Sequence, residues 1–439
     1  MAACMARVSA SVPSVRTLFG LWLPTVFGAS MLVVEIPVVA AAAARSADGA
    51  RALAAIGIGM SILVVVNTPA LAVAPLVVVE HDRRSRRLLR RHTVAVGVLG
   101  TVVVLALAVP PGSAAVRLLF DLDGETGQAV SAFLAGLAPN SLGVALRRYE
   151  HGRLIHGGHT GPIVAATVVR LVATAAIAWV ATAMQPQHGA LIAGVALSAG
   201  AFLEAFALRA ARRRDYVPPT CADESWTGLV AHHAHLSAAR LLVMAPTVVT
   251  IIGVAHASQA TASLIVWPVL IQFAALFTSP TTDWESVAAK ALRDSPHSRA
   301  PRALTVVLAA AVSALFAATF PTGLFETFVR GLLAVPGPAA DLGLRWAWLL
   351  LPLPALWIAR AYLRGVVMAA GERRWLSIAA LGHLITLIGV LAGLVATGLS
   401  GVESAGVALV TGVATETAIT MYGTQRCAAR RRAAPDLPG

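Results

Sequence analysis

Twelve long apolar runs separated by short polar joints occupy nearly the whole chain. The first six are Leu18–Ala44, Ala52–Val79, Thr93–Val109, Val130–Ala145, Ile163–Met184 and Ala190–Leu208. The second six are Leu229–Val254, Thr261–Thr278, Ala303–Phe320, Leu344–Met368, Leu376–Leu399 and Val402–Tyr422. A helix that crosses the hydrocarbon core needs roughly 20 apolar residues, and most runs are close to that length. They are continuous rather than alternating, which argues against outer-membrane strands. The pattern predicts an all-α, polytopic membrane protein of twelve transmembrane helices. The first run is too long for a signal-peptide core and reads as a retained span.

Composition narrows the function. With 57% hydrophobic and 13% charged residues in 439, the chain has little left for a soluble domain. A soluble enzyme, a secreted disulfide scaffold and a single-pass receptor are excluded. The net charge of +13 would suggest nucleic acid in a soluble protein. Here the basic residues cluster in the joints and read as topology signals, so no nucleic-acid partner is expected. Numbering the joints alternately puts 27 of the 34 basic residues on one side, including Arg83 through Arg91, Arg209 and Arg360. Positive joints stay cytoplasmic. The expectation is a multi-pass protein of the cell (plasma) membrane with both termini cytoplasmic. Cys4, Cys221 and Cys427 are too few and too dispersed for a disulfide framework or a cysteine metal site.

The two sets of six runs are copies. Arg147-Arg148-Tyr149-Glu150-His151-Gly152 matches Arg360-Ala361-Tyr362-Leu363-Arg364-Gly365 as R-x-Y-x-x-G at an offset of 213. Gly194-Val195-Ala196-Leu197 and Glu204 match Gly406-Val407-Ala408-Leu409 and Glu416 at 212. Pro37 against Pro246, and Thr68-Pro69 against Ser279-Pro280, extend the register to the start of each half. Several matches in order argue for a duplicated six-span unit. Copies with an even span number are parallel, a transporter design with the path between the halves. The expected organisation is a tail (1–17), a first lobe (18–211), a linker (212–228), a second lobe (229–424) and a tail (425–439).

Pro24 and Pro37 in the first span, the glycine-bearing turn Arg153–Gly161 and the turn Glu372–Trp375 resemble the multidrug and toxin extrusion (MATE) transporters. More broadly the chain resembles the multidrug/oligosaccharidyl-lipid/polysaccharide (MOP) flippase superfamily. Leu21-Trp22-Leu23-Pro24 with Glu35, the Pro69 run and the paired R-x-Y-x-x-G elements are similar to prokaryotic relatives of the progressive ankylosis protein. The resemblance covers about Leu18 to Tyr422. It implies two six-helix lobes around a V-shaped cavity that alternates between the membrane faces, with export driven by an H⁺ or Na⁺ gradient. MATE members commonly carry an acidic residue in the first span, and Glu35 fills that place. Where acids often stand in the seventh and tenth spans, this chain has Arg240 and Arg345. An anionic solute is therefore a more natural substrate than a cationic drug.

Charge inside hydrocarbon costs at least ~2.5–3.5 kcal/mol at a helix centre, so such residues usually face a cavity or a partner. Glu35 and Arg240 are the deepest and are the candidates for substrate or ion coupling, as a pair or gate across the cleft. The alternative for each is a local partner or snorkelling to the interface. Pro37, Pro69, Pro246 and Pro280 are candidate helix breaks that free backbone carbonyls. Glu204 and Glu416 are expected to pair with Arg147 and Arg360 as repeated structural clamps. His383 in the eleventh span, as a proton relay or a packed helix contact, and His235 are secondary candidates; His232 and His235 share a helix face while His233 points elsewhere, and no metal is expected there. Asp121-Leu122-Asp123 has a D-x-D form but lies in a short external loop. No P-loop, G-x-S-x-G or H-E-x-x-H occurs, so neither ATP-driven transport nor common hydrolase chemistry is supported.

The sequence therefore points to a secondary transporter rather than an enzyme. It is expected to need no cofactor beyond a coupling ion, to act as a monomer in the bilayer and to export a small molecule. A lipid-linked or polysaccharide-precursor substrate, an integral-membrane transferase and an inactive scaffold are the competing readings. Cysteine-accessibility labelling in intact cells should reach a probe beside Asp123 and miss one beside Arg87; the opposite pattern would overturn the orientation.

Overall fold

The computed structural model describes residues 15–81, 84–156, 161–211, 225–279, 284–296, 298–372 and 374–433. Pro280 lies outside them. The first half contains α1 (Val15–Ala43), α2 (Gly49–Val66), α3 (Thr68–Glu80), α4 (Arg86–Ala108), α5 (Gly112–Leu119), α6 (Gly124–Leu137), α7 (Asn140–His156), α8 (Gly161–Met184) and α9 (Gly189–Ala210). The second contains α10 (Trp226–Ala255), α11 (Ala260–Thr278), α12 (Trp284–Asp294), α13 (Ala300–Ala318), α14 (Leu324–Glu326), α15 (Gly337–Trp346), α16 (Leu353–Ala369), α17 (Arg374–Ala396) and α18 (Gly401–Ala433). Among the described residues the β content is one isolated bridge, Ser258 with Ser400. Nine described helical segments are long and apolar enough to cross a bilayer, and eleven when each of two bent pairs is one span. The 29-residue α1 brings the count to twelve. The chain is a multi-pass, all-α membrane protein.

Several spans are broken, not always where proline alone suggests. The second span stops at Asn67 and restarts as α3 with Pro69 in its first turn, as expected from proline's missing N–H. The fourth span breaks between α6 and α7 around Pro139, and the tenth bends by 43° between α15 and α16 around Pro352. These two prolines are themselves 213 residues apart. Pro37, by contrast, sits inside an uninterrupted α1, buried just ahead of the buried stretch Val39–Ala43 of the same helix. Packing neighbours make one missing hydrogen bond tolerable there. The 43° bend of α10 falls between Ala238 and Arg240, upstream of Pro246, which lies within the continuing helix. Both are corrections to the expected breaks.

A third correction matters more for function. The fourth span continues as helix to His156, so Arg147 and Arg148 belong to α7 and not to a joint. Arg147 is buried. Helix α7 packs on α3, α4 and α9, and α8 packs between α1 and α9. The α6–α9 contact is close because both helices carry glycine where they cross. A Cβ at Gly194 would lie 2.4 Å from the Phe133 carbonyl oxygen, and one at Gly136 would lie 2.5 Å from that of Leu191. Small residues at such crossings let backbones approach in membranes. This crossing fixes α9 against the α6–α7 span and carries Glu204 to Arg147.

The two halves touch through α2 and α3 against α10, and through α1 and α2 against α11. Trp22 also stacks edge-on against Trp284 of α12. One apolar core runs through both halves, from Leu53 and Ile56 to Trp267 and Phe273. On the outside, Leu99, Val102, Val172 and Ile385 are more than half exposed. In a bilayer these apolar faces of α4, α8 and α17 meet acyl chains.

Candidate functional site

The charged residues inside the spans collect into two clusters, one in each half. In the first half, Glu35 on α1 faces α8. Arg170 donates from Nε to its Oε1 at 2.7 Å and from Nη2 to Oε2, and the Thr174 hydroxyl donates to Oε1 at 2.9 Å. Arg170 and Thr174 are one helical turn apart, so α8 presents both to the same carboxylate. Gly200 on α9 makes the space for this. A Cβ there would overlap Thr174 Oγ1 at 2.0 Å and stand 3.3 Å from Glu35 Oε1.

The third donor of Arg170 reaches the next carboxylate. Its Nη1 donates to Glu204 Oε2 at 3.1 Å, and Arg147 Nη1 donates to the same oxygen at 3.0 Å. His151 Nε2 donates to Glu204 Oε1 at 3.2 Å. The result is a chain Glu35–Arg170–Glu204–Arg147 across α1, α8, α9 and α7, all four residues being less than 9% exposed. Burying a carboxylate is costly unless it is paired and fully hydrogen-bonded. The fork of Arg170, with five donors in one plane, serves two carboxylates at once.

The second half repeats the plan with different parts. Arg360 Nη1 donates to Glu416 Oε2 at 2.9 Å, Arg364 Nη1 to Oε1 at 3.1 Å and His383 Nδ1 to Oε2 at 2.8 Å. Arg364 also donates from Nε to Glu285 at 2.9 Å. The repeat offsets superpose the clusters: Arg147 on Arg360, His151 on Arg364, Glu204 on Glu416 and Arg170 on His383. Gly200 falls on Gly412, whose Cβ would stand 3.0 Å from His383 Nε2. Glu35 has no counterpart, because Met244 occupies the equivalent place. The His383 Nε2 atom is buried without a hydrogen-bond partner among the described residues.

The structure thus brings Glu204 to Arg147 and Glu416 to Arg360. It does not bring Glu35 to Arg240. Glu35 is held by Arg170 within its own half, because α1 packs along α8 and delivers a guanidinium from the same lobe. Arg240 stands at the bend of α10 with its Nε buried and unpartnered among the described residues. Arg148, beside Arg147, also has a buried, unpartnered Nε, and Arg240 lies within electrostatic reach of it. Arg345 is exposed at the end of α15, over the ring of Trp346 at 5.3 Å.

Of the histidines opening α10, His235 is exposed and apart from these clusters. His232 donates to Glu80 at 2.7 Å. His233 accepts from His92 at 2.8 Å and donates to the Pro69 carbonyl at 2.9 Å, so the carbonyl near the α2–α3 break is satisfied from the other half. Among the described residues no three His, Cys, Asp or Glu side chains are grouped to hold a metal ion. Asp123 caps α6, accepting from the Thr126 N–H at 2.7 Å, and that bond holds its carboxyl below the ordinary range. The D-x-D form is accounted for by this cap.

Sequence reasoning missed Arg170 as a partner and Arg148 as a half-buried group. The signal for Arg170 was present in the repeat, where the offset of 213 carries it onto His383.

The two clusters should respond unequally to loss of the central acid. Glu204→Leu strands Arg147, which is buried, and should lower stability by about 3–5 kcal/mol. Glu416→Leu should cost clearly less, because the Arg360 side chain is 26% exposed and Arg364 keeps Glu285. Thermal and denaturant unfolding of the detergent-solubilised protein measures both. Adding Arg147→Leu to Glu204→Leu should recover part of the loss; equal losses in the two lobes would contradict the assigned contacts.

No family model and no curated protein matches this chain in sequence. Solved structures do match it. An inward-facing MATE family transporter of the MOP superfamily superposes with a TM-score of 0.67 at 13% identity, over 90% of this chain and 95% of that one. An outward-facing one gives 0.64 at 13%, over 96% and 98%. A MOP superfamily transporter from Pyrococcus furiosus, noted for a binding pocket of reverse polarity, gives 0.61 at 15%, over 95% and 97%. At these identities the likeness is one of fold, and it spans nearly the whole of both chains: this chain has the fold of the MATE transporters of the MOP superfamily.

Proposed function

We propose that the chain is a secondary transporter that exports a small, preferentially anionic, organic solute from the cytoplasm by alternating access of its two lobes. The observation that carries this reading is the chain Glu35–Arg170–Glu204–Arg147, a set of buried charges in one half of a MATE-like fold without an equal in the other. Glu35 belongs to α1, which also contacts α11, α12 and α13 of the other half. A change at Glu35 is therefore mechanically linked to both lobes.

Coupling follows from competition. A proton or Na⁺ that binds Glu35 displaces Arg170, and the freed guanidinium leans on Glu204. An ion shifts the balance of two states only through its different affinity for them, so the two lobe arrangements must differ in how closely Arg170 meets Glu35. Solute preference follows from Arg148 and Arg240, two half-buried arginines whose Nε atoms are buried without a hydrogen-bond partner among the described residues. Uncompensated cations in a low-dielectric setting attract an anion and repel a cation. The fold's likeness to inward-facing and outward-facing transporters, and to one with a pocket of reverse polarity, supports the same reading. The working place is the cell membrane, with the termini inside.

Reconstitution into liposomes with an imposed H⁺ or Na⁺ gradient tests this. Glu35→Gln should abolish gradient-driven movement in a protein that still folds. Arg240→Ala should lower uptake of organic anions more than tenfold, roughly the worth of one charge-assisted contact, and change cation uptake little. Wild-type rates with unchanged ion dependence in Glu35→Gln would remove the coupling role.

A further inference from the structure

A second concentration of charge is built from residues of the first half alone. The start of α4 and the ends of α7 and α9 enclose an open cavity of about 800 Å³ on the outside of the first lobe. Arg86, Arg87, Arg90, Arg91, Arg153 and Arg209 line it, against a single carboxylate, Glu150. That carboxylate is already taken by Arg153 at 3.1 Å, and Arg86 bonds the Tyr149 hydroxyl. Arg87, Arg90, Arg91 and Arg209 have no carboxylate partner among the described residues. Six guanidiniums gathered from three helices around one acid repel each other, and an anion from outside the chain relieves that repulsion.

The rest of the lining tells which anion. Val94, Ala95 and Val98 form its apolar side, with Val94 36% and Val98 45% exposed. The stripe continues on the same face of α4 through Val102 and Leu105, both exposed. Spacings of four, four and three residues keep these side chains in one row. Arginines at the cytoplasmic end of a span with an exposed valine row beneath them match, in order and in depth, a phosphate headgroup above an acyl chain. A soluble phosphate would use the arginines and leave the valine row without a role.

We propose that this cavity is a binding site for an anionic phospholipid of the inner leaflet, its phosphate held between the arginines of α4 and Arg209 of α9 and its acyl chain lying along Val94, Val98 and Val102. Basic pockets between spans on the cytoplasmic side are suited to such headgroups. Because α7 carries both Arg153 of this site and Arg147 of the buried cluster, the lipid bears on the helix that holds Glu204.

The test titrates the purified full-length protein in neutral detergent with phosphatidylglycerol, phosphatidylcholine or inorganic phosphate, counting bound molecules by native mass spectrometry. Phosphatidylglycerol should bind at least about tenfold more tightly than phosphatidylcholine. Arg90→Gln with Arg209→Gln, both at exposed positions, should weaken phosphatidylglycerol by roughly five-fold per charge removed. Ala95→Trp fills the apolar side, leaves every charge in place and should weaken phosphatidylglycerol without affecting phosphate. If the double variant does not fold, Ala95→Trp decides alone. Equal binding of the two lipids overturns the proposal. Phosphate binding as tight as phosphatidylglycerol, with Ala95→Trp silent, also overturns it, because the site would then be one for soluble phosphate.

Discussion

Two carboxylates inside a bilayer-spanning bundle set the terms for the first lobe. Neither Glu35 nor Glu204 reaches water, and an unpaired charge at that depth is costly. One side chain, Arg170, answers both, with two donors on Glu35 and one on Glu204. Its place on α8, between α1 and α9, follows from that double demand. So does the glycine at position 200, since any side chain there would occupy the volume of Thr174. The clustering of four charged residues from four helices is thus the consequence of one guanidinium being asked to satisfy two acids. An arginine can do this and a lysine cannot, because the planar fork addresses two directions at once.

Duplication explains why the second lobe has the same clamp, and divergence explains why it lacks the same four-residue chain of charges. Glu416 keeps its arginine from α16, and Gly412 keeps the opening on α18. The equivalent of Arg170 has become His383, and the equivalent of Glu35 is Met244. With only one acid to satisfy, a histidine with one donor toward Glu416 suffices. Under the proposed coupling, the asymmetry assigns ion exchange to the first lobe and static bracing to the second. Arg148 and Arg240 stay half-buried, each with a buried Nε that has no hydrogen-bond partner among the described residues.

Much of this is legible in the sequence because membrane constraints are strong and local. Continuous apolar runs give twelve spans, and the repeated R-x-Y-x-x-G and G-V-A-L elements place Arg147 near Glu204 and Arg360 near Glu416. What was not legible depends on tertiary packing. Arg170 lies 135 residues from Glu35, and only the docking of α8 on α1 joins them. Arg147 and Arg148 read as a cytoplasmic joint because hydropathy falls there, yet the helix runs on and buries Arg147. Pro37 read as a break because proline lacks an N–H, but dense packing around Val39–Ala43 keeps α1 continuous.

The Glu35–Arg170 contact is the link on which the account turns, and a double-mutant cycle measures it most directly. Unfolding free energies of the detergent-solubilised wild type, Glu35→Leu, Arg170→Leu and the double variant would give their coupling. Buried partners in one hydrogen-bonded network should couple by about 2–3 kcal/mol, the double variant being more stable than the sum of the single losses allows. Losses that add to within about 0.5 kcal/mol would show that the two residues do not depend on each other, and would contradict the account.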